Sequence, residues 1–380
     1  MNDGIYGMLP REQMCDGAKK YWDFYNMVPG AGFYQREFWF LCQERWEREG
    51  LAPDADYDKE FGYDPQGRVD LGGLGWCEAS FAPWFEEKVL EDRGEHELVQ
   101  DSCGRSVLYF KGRRQGFMPT YVDHPVKDMK TWEEKCRWRM DPNSPERLAA
   151  VDAAIPEVVE KARQGMFVGQ RMVGGYMYLR SLMGPEELLY KFYDDPELIH
   201  ACMEQWLVLA DAVIARHQQH VTIDELFIAE DICYNHGPLI SPDMIREFLM
   251  PYYQQLLTNM RRRQLDKNRH LNFQVDTDGF CDPVIDLYRE LGLTHMSPFE
   301  VASHCDVVRT AEQYPDLRIS GGVDKRILAQ GPEAIDRMID RIFPVMQKRG
   351  GFIPTCDHAV PEEVSLENYR YFRKRCLEFA

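Results

Sequence analysis

The last third of the chain repeats one hydrophobic pattern: a short apolar run ends in polar side chains, and an amphipathic stretch follows it. Apolar runs of this kind are ELFIA, HLNFQV, THM, LRIS and GGFI. Runs of strand length that alternate with helical periodicity are typical of βα units, which build a parallel sheet. The pattern therefore predicts an α/β fold, in the form of a (β/α)8 TIM barrel. An open, doubly wound sheet is the alternative.

The first 150 residues follow a different pattern, with short elements and many Trp, Tyr, Gly and charged residues. Residues 96–110 alternate polar and apolar positions around a turn, where Gly104 can supply a positive φ, so they predict a β-hairpin. We expect residues 1–150 to form an N-terminal elaboration packed on a barrel of residues 151–380. Fewer than eight barrel strands can be counted after residue 150, so the elaboration is a candidate source of the first one, and residues 30–50 are its best segment.

Polar and reactive side chains follow each predicted strand of the last third. They are Glu230, Asp231, Asp276, Asp278, Glu300, Asp324, Cys356, Asp357 and His358. In a closed barrel the carboxyl ends of the strands meet at one face, where active sites lie. Carboxylates, a thiol and an imidazole gathered there are plausible metal ligands, so the pattern predicts a metal or catalytic site.

Composition narrows the classes of partner. The formal net charge is -18, from 63 acidic and 45 basic residues, which argues against a nucleic-acid partner because phosphate binding needs a basic face. No uninterrupted apolar stretch of about 18 residues occurs, and the first residues do not resemble a secretory signal, so we expect no membrane span. The 11 cysteines include no CxxC pair, which favours reduced thiols in a cytoplasmic protein.

Several blocks, in the same order along the chain, resemble the uroporphyrinogen decarboxylase superfamily. They are MGPEELLYKFYDDPELI, IAEDICYNHGPLI with SPDMIREFLMPYY, GGVDKRILAQGPEAI, and GGFIPTCDHAVPEEVSLENYRYF. The resemblance covers roughly residues 165–375 and implies a (β/α)8 barrel. One branch of that superfamily contains porphyrinogen decarboxylases, and the other contains zinc methyltransferases that move a methyl group to or from a corrinoid.

The decarboxylase branch holds its polycarboxylate substrate with several arginines near the N-terminus. Arg36 matches one of them, but the next expected arginine position lies in EFWF and is not basic. An acidic rim is also a poor host for a polycarboxylate, because like charges repel. The resemblance therefore favours the methyltransferase branch.

That branch has a His-x-Cys pair after one strand, a Glu after the next and a Cys near the C-terminus. The matching positions are Asp276, Asp278, Glu300 and Cys356, so the resemblance implies a zinc site there in which two ligands have become carboxylates. A carboxylate-rich site suits an oxygen-bearing substrate, such as an ether whose oxygen needs Lewis-acid help to leave. His358 is expected to be a further ligand or a general acid.

Each candidate also has an ordinary structural interpretation. Asp276 and Asp278 in VDTDG fit a turn, and Asp278 fits a helix cap. Glu300 fits an acid in the first turn of a helix, and Cys356 fits a small buried hydrophobe.

Further residues are candidates for substrate contact. Glu230 and Asp231 follow one strand and can orient a substrate, donate a proton or form a salt bridge with Arg171. Arg36 and Arg171 are candidates for binding a substrate carboxylate, or serve as structural partners. Tyr176 and Tyr234 are candidates for an aromatic pocket, although tyrosines are common in this chain.

We therefore predict an O-demethylase methyltransferase that moves a methyl group from a methoxylated aromatic to a corrinoid (cobalamin). The chain lacks the corrinoid-binding signature Asp-x-His-x-x-Gly, so we expect the corrinoid on a partner protein. Zinc would polarise the ether oxygen, and His358 or Glu230 would supply the proton. The alternatives are a decarboxylase of a small acid and a non-catalytic binding protein. The sequence leaves the oligomeric state open, with a homodimer as one option.

Overall fold

The computed structural model describes residues 7–112 and 119–380. Within them, strands occur both before and after residue 150. They are β1 Arg68–Leu71, β2 Lys88–Arg93, β3 His96–Gln100, β4 Ser106–Phe110, β5 Thr120–Asp123, β6 Phe167–Val173, β7 Glu225–Ala229, β8 Cys233–Tyr234, β9 Gly237–Pro238, β10 Asn272–Asp276, β11 His295–Ser297, β12 Arg318–Ser320 and β13 Phe352–Ile353.

Helices follow most of the parallel strands. The α-helices are α1 Asp16–Tyr25, α2 Gln43–Arg48, α3 Tyr57–Glu60, α4 Met129–Thr131, α5 Pro145–Arg163, α6 Gly175–Met183, α7 Pro185–Asp194, α8 Pro196–His217, α9 Pro242–Phe248, α10 Met250–Arg263, α11 Asp282–Arg289, α12 Val307–Gln313, α13 Lys325–Leu328, α14 Pro332–Arg349 and α15 Leu366–Cys376. The predicted caps at Ser144 and Ser241 both accept a backbone N–H of the first turn, and proline follows each of them.

Seven strands form one parallel sheet in the order β1-β6-β7-β10-β11-β12-β13. The strands from β6 onward are neighbours in chain order, as a curled βα sheet requires. The predicted α/β TIM-barrel class is therefore confirmed.

Residues 33–40 lie across the gap between β13 and β1. Near β13, the ring of Phe33 packs edge-on against Phe352, and Phe40 forms a parallel bridge with Val360. Near β1, the hydroxyl of Tyr34 accepts the N–H of Gly67 at 3.4 Å. This segment lies within the candidate residues 30–50, but it is irregular. Among the described residues before position 150, the regular strand of the parallel sheet is β1.

The N-terminal part also carries an antiparallel sheet of four strands in the order β2-β3-β4-β5. The predicted hairpin is present as β3 and β4, and Gly104 in its turn has φ +78°. Every residue of β2 and of β5 is exposed, so the sheet is anchored mainly through β3 and β4.

Several buried polar side chains, which hydrogen-bond to one another, fill the barrel at the amino-terminal ends of its strands. Glu225 accepts hydrogen bonds from Tyr25 and Arg68, and its Oε2 lies 3.3 Å from Nδ1 of His295. Burial raises the pKa of Glu225 to about 8. Because these side chains occupy the interior at this end, access to the barrel interior is from the carboxyl ends of the strands. We call that end the mouth.

One helix in the described part of the chain, α8, is long and apolar enough to be considered as a membrane span. Half of its most apolar window is buried inside the protein. Trp206 of this helix donates its indole N–H to the carbonyl of Val173 at the end of β6. These contacts are those of a core helix packed on a barrel.

Candidate active site

Asp276 is the last residue of β10, and its side chain faces the mouth. It accepts the hydroxyl of Ser297, the last residue of β11, at 2.5 Å. Burial, with a smaller effect from the charge of Asp231, raises the pKa of Asp276 to about 6, although the hydrogen bond from Ser297 and the charge of Arg171 oppose this shift. Two adjacent strands therefore place a carboxylate with a raised pKa at the mouth.

Asp278 follows two residues later, in the turn after β10. Gly279 allows this turn, because its φ is +81° and a Cβ there would lie 2.7 Å from the carbonyl carbon of Cys233. Burial, together with the charges of Asp276, Asp231 and Glu300, raises the pKa of Asp278 to about 8, although Lys325 opposes this shift. Asp278 is therefore largely protonated at neutral pH.

Glu300 supports the loop that carries Asp278. Its carboxylate accepts the N–H of Gly279 at 3.1 Å and the hydroxyl of Ser303 at 2.8 Å, and Nζ of Lys325 lies 3.8 Å away. The same Nζ lies 3.8 Å from the buried carboxylate of Asp357. Lys325 directly follows the run LRISGGVD, and as a basic residue it was not among the side chains predicted for the site.

His358 lies at the mouth beside Asp278. Its Nε2 is 4.0 Å from Oδ2 of Asp278, and 44% of its side chain is exposed. Partial burial lowers the pKa of His358, and the charge of Lys325 lowers it further, so the imidazole is neutral at pH 7. A neutral imidazole beside a protonated carboxyl can accept and return a proton.

An aromatic wall, formed by Phe38, Trp76 and Phe227, leads from the surface into the barrel. The rings of Trp76 and Phe227 stack with centroids 5.2 Å apart, and Phe38 stacks on Trp76 at 6.4 Å. Trp76 reaches this place on the loop after β1, where Gly75 has φ +76° and a Cβ would lie 2.2 Å from the carbonyl oxygen of Glu78. Sequence reasoning missed these rings, because nothing in their spacing marks them.

Arg171 projects from β6 into the same region, beside Phe227 of β7. Its guanidinium lies 4.2 Å from the ring centre of Trp76 and 5.6 Å from that of Phe227. The predicted salt bridge between Arg171 and Asp231 does not form, because Asp231 instead accepts a hydrogen bond from Arg180 at 2.5 Å. Arg171 thus faces the interior as a cation held by rings.

Cys356 departs from the predicted ligand set. Its thiol is buried among Glu37, Tyr369 and Cys376, between the sheet and α15, and its N–H donates to Glu37 at 3.1 Å. Burial raises the pKa of this thiol well above its usual value, which disfavours the thiolate that a metal needs. The prediction that Cys356 is a zinc ligand is corrected: the thiol faces the helix layer and not the mouth.

Glu230 also departs from its predicted role at the mouth. Its side chain is fully buried on the helix side of β7, where it accepts the hydroxyl of Tyr253 and the N–H of Tyr176. Burial raises its pKa to about 7. β7 has ended at Ala229, and Asp231 has φ +41°, so its side chain leaves the direction of Glu230 and lies near Asp276 and Asp278 at the mouth.

Three predicted substrate contacts have other positions. Arg36 donates to Asp58 at 3.0 Å and to the carbonyl of Asp64, and it lies over the ring of Tyr63, so it is a structural residue. Tyr176 is 1% exposed in the first turn of α6, which corrects its prediction as a pocket-lining residue. Tyr234 is 48% exposed on the β8–β9 hairpin, whose backbone packs on the Asp278 loop.

The predicted zinc set does not fit a metal as a whole. Within residues 7–112 and 119–380, three His, Cys, Asp or Glu ligand atoms come within 4.8 Å of one another only at Cys281, Asp282 and Cys305. That group lies behind the Asp278 loop, and its carboxylate already pairs with Arg309 at 2.7 Å. At the mouth, Asp278 and His358 are a usable pair of donors, but a catalytic zinc site needs three protein ligands.

The mouth thus combines a carboxylic acid that is protonated at neutral pH, a neutral imidazole, and an aromatic wall with one cation. This arrangement can bind a flat, apolar ring and donate a proton to an atom that gains negative charge. Asp278, His358, Asp276 and Arg171 are predicted residues that the fold brings together, and Lys325, Trp76 and Phe227 join them.

Comparisons with known proteins agree with this architecture. The sequence model of the family described as Uroporphyrinogen decarboxylase (URO-D) matches residues 112–379. A methyltransferase from Methanosarcina mazei has a similar structure over 92% of this chain and 94% of its own, with 15% identity and a TM-score of 0.55, which shows a shared fold.

Two other solved structures are more distant. A B12-independent methionine synthase from Shewanella sp. W3-18-1 has 9% identity and a TM-score of 0.34, over 59% of this chain and 64% of its own. Xylanase B from Clostridium stercorarium F9 has 11% identity and a TM-score of 0.32, over 55% of this chain and 72% of its own. No curated protein matches the sequence. Because the family match spans more than half of its length, the chain belongs to the uroporphyrinogen decarboxylase (URO-D) family.

Proposed function

We propose that this protein is a cytoplasmic, corrinoid-dependent O-demethylase methyltransferase that takes a methyl group from a methoxylated aromatic compound. The observation that carries the proposal is the placement of Asp278 at the same mouth as the aromatic wall. The wall suits an aryl ring, and the acid suits the oxygen that leaves when an aryl ether loses its methyl group. The structural likeness to a methyltransferase from Methanosarcina mazei shows the fold and is compatible with this proposal.

The reaction has a simple balance. The bond between the ether oxygen and the methyl carbon breaks, and its electron pair stays on oxygen. The proton of the Asp278 carboxyl passes to that oxygen, so the product is a phenol. His358 then returns a proton from solvent to Asp278, because it is neutral, partly exposed and 4.0 Å away.

The methyl group needs a nucleophile, and the described part of the chain places no activated one at the mouth. The thiols nearest the mouth are poor ones, since burial raises the pKa of Cys77 and of Cys233 to about 12. A corrinoid carried on a separate protein would supply the nucleophile, so the attack on the methyl group would be the cofactor's chemistry. That partner would dock over the mouth, because the methyl group must be reached from there.

Zinc stays a prediction for this chain. Asp278 and His358 would be its donors at the mouth, and Asp278 would then be ionised, so the proton steps above apply to the site without a metal. The ordinary role of such a metal would be to polarise the ether oxygen.

The test uses free cobalamin, chemically reduced to its Co(I) form, as the methyl acceptor. The purified chain is incubated with methoxybenzoates, methoxybenzenes or simple methylated alcohols, and phenol formation is followed by chromatography while the corrinoid is followed by absorbance. We expect phenol only when chain, reduced cobalamin and a methoxylated aromatic are all present. If the rate of phenol formation does not depend on the chain, the proposal is wrong.

The family match favours one second candidate, a decarboxylase of a small acid. In that case Asp278 would donate its proton to the carbanion left when carbon dioxide departs, and no corrinoid would be needed. Carbon dioxide released from a carboxylated substrate without cobalamin would support this candidate against methyl transfer.

A further inference from the structure

Arg171 is a cation whose hydrogen-bonding edge has no partner within residues 7–112 and 119–380. Among the residues that the structure describes, none accepts a hydrogen bond from its guanidinium, whereas the buried Arg147, Arg318 and Arg373 all have such partners. Arg68, one strand away on β1, donates to Asp70 at 2.7 Å and to Glu225. Arg171 is only partly exposed, and partial burial of a cation without an anion is unfavourable, so this position suits a ligand that brings one.

The surroundings hold the guanidinium by its faces. Trp76 and Phe227 contact it at 4.2 and 5.6 Å from their ring centres, as in cation–π contacts. Rings on its faces leave the N–H groups at its edge available, and this planar fork matches the two oxygens of a carboxylate. Burial lowers the pKa of Arg171 without removing its charge at neutral pH.

The neighbouring charges limit what kind of anion fits. The charge of Asp70 acts most strongly on Arg171, but Asp70 is already paired with Arg68, and Asp276 acts on Arg171 more weakly and accepts a hydrogen bond from Ser297. A dianion such as a phosphate ester would be repelled by these two carboxylates, while a single planar carboxylate matches the single free fork. The aromatic wall beside the guanidinium gives the rest of the ligand an apolar, flat surface.

We infer that the methyl donor is an arenecarboxylate, whose carboxylate pairs with Arg171 and whose ring packs on Trp76 and Phe227. This inference rests on the proposed function, since it names the class of its substrate. Arg171 lies two residues before the end of β6, and Asp278 lies beyond the end of β10. A carboxylate at Arg171 is therefore deeper in the barrel than the acid, and the ring extends outward toward Asp278 and His358.

The test measures binding of a ligand that carries no methyl group. Benzoate and benzamide have the same shape, but only benzoate is charged. Saturation-transfer NMR titration would give both dissociation constants for the wild type, Arg171→Gln, Arg171→Lys and Trp76→Leu. Arg262→Gln is the matched control, because Arg262 is exposed near the end of α10.

We expect Arg171→Gln to weaken benzoate binding by roughly 10- to 100-fold, the usual weight of a charge-assisted pair, and to leave benzamide unchanged. Arg171→Lys keeps the positive charge but loses the planar fork, so its affinity for benzoate should lie between those of the wild type and Arg171→Gln. Trp76→Leu should weaken both ligands, and Arg262→Gln neither. If the wild type binds both ligands equally, or if neither Arg171 variant changes benzoate binding in a protein that melts normally, the inference is wrong.

Methyl transfer and the carboxylate site at Arg171 can be disproved independently of each other. Benzoate binding that depends on Arg171, together with no phenol from any methoxylated aromatic, would keep the carboxylate site and remove methyl transfer. Neutral methoxybenzenes that are demethylated as fast as methoxybenzoates, with Arg171 dispensable, would keep methyl transfer and remove the carboxylate site.

Discussion

The imidazole Nε2 of His358 lies 4.0 Å from the carboxylate Oδ2 of Asp278, although the two residues follow different strands, β13 and β10. Burial lowers the pKa of the imidazole and raises that of the carboxyl to about 8, so near pH 7 the carboxyl holds the proton and the imidazole is neutral. The barrel thereby places a proton donor beside a group that can reload it. The predictions below depend on this pair and on the charges around it.

Asp278→Asn should remove the proton donor. We expect the rate of methyl transfer to fall by roughly 10²- to 10⁴-fold, the usual contribution of a general acid. In the wild type, the rate should be constant at neutral pH and fall as the pH rises through about 8, because the carboxyl then loses its proton. Phenol formation measured across pH checks both points. The matched control is Asp243→Asn, whose side chain is 97% exposed on α9, and an equal loss in that variant would contradict the role of Asp278.

The same carboxyl should destabilise the fold at alkaline pH. Its pKa is about 8 in the folded protein and about 3.9 in the unfolded chain, so the folded state binds more protons between these values and stability falls as pH rises across that window. Asp278→Asn removes this loss. After allowance for solvent screening at a part-exposed side chain, we expect the free energy of unfolding at pH 8 to be about 1 kcal/mol higher for the variant than for the wild type, or roughly 2 °C in Tm. This gain in stability should disappear near pH 4. A difference in Tm between variant and wild type that stays constant from pH 4 to pH 8 would contradict the raised pKa of Asp278.

Two neighbours should move the alkaline limit of the activity in opposite directions. Glu300 raises the pKa of Asp278 through its charge, and Lys325 lowers it. Glu300→Gln should therefore shift the midpoint of the pH–rate profile to lower pH, and Lys325→Met should shift it to higher pH, each by about half a unit to one unit. Shifts in the same direction would mean that the profile reports loop movement and not the charge at Asp278.

Cys356→Ser should leave both zinc content and methyl transfer unchanged. The thiol lies among Glu37, Tyr369 and Cys376, so it does not reach the mouth. Metal analysis of the purified wild type and variant, together with the phenol assay, checks this outcome. Zinc that is present in the wild type and lost from the variant would return Cys356 to the ligand set.

The sequence predicted the fold class because hydrophobic periodicity is local. The runs ELFIA and HLNFQV became β7 and β10, and the serine caps with following prolines became the starts of α5 and α9. The eighth position of the barrel was harder to predict. Residues 33–40 are held there by contacts with distant parts of the chain, such as the hydrogen bond from the N–H of Val360 to the carbonyl of Trp39, which no local pattern reveals.

The sequence by itself determined which residues stand at strand ends, and therefore that Asp276, Asp278, Glu300 and His358 gather at one face. Only the tertiary structure decided which way each side chain points. One residue of offset sends Glu230 into the helix layer and Asp231 to the mouth, and Cys356 turns to α15 while His358 faces Asp278. Trp76, Phe227 and Arg171 meet because neighbouring strands bring their loops and side chains together across the barrel. The position of a strand end depends on the local sequence. The orientation of a side chain and the charges around it depend on contacts between segments that are far apart in the sequence.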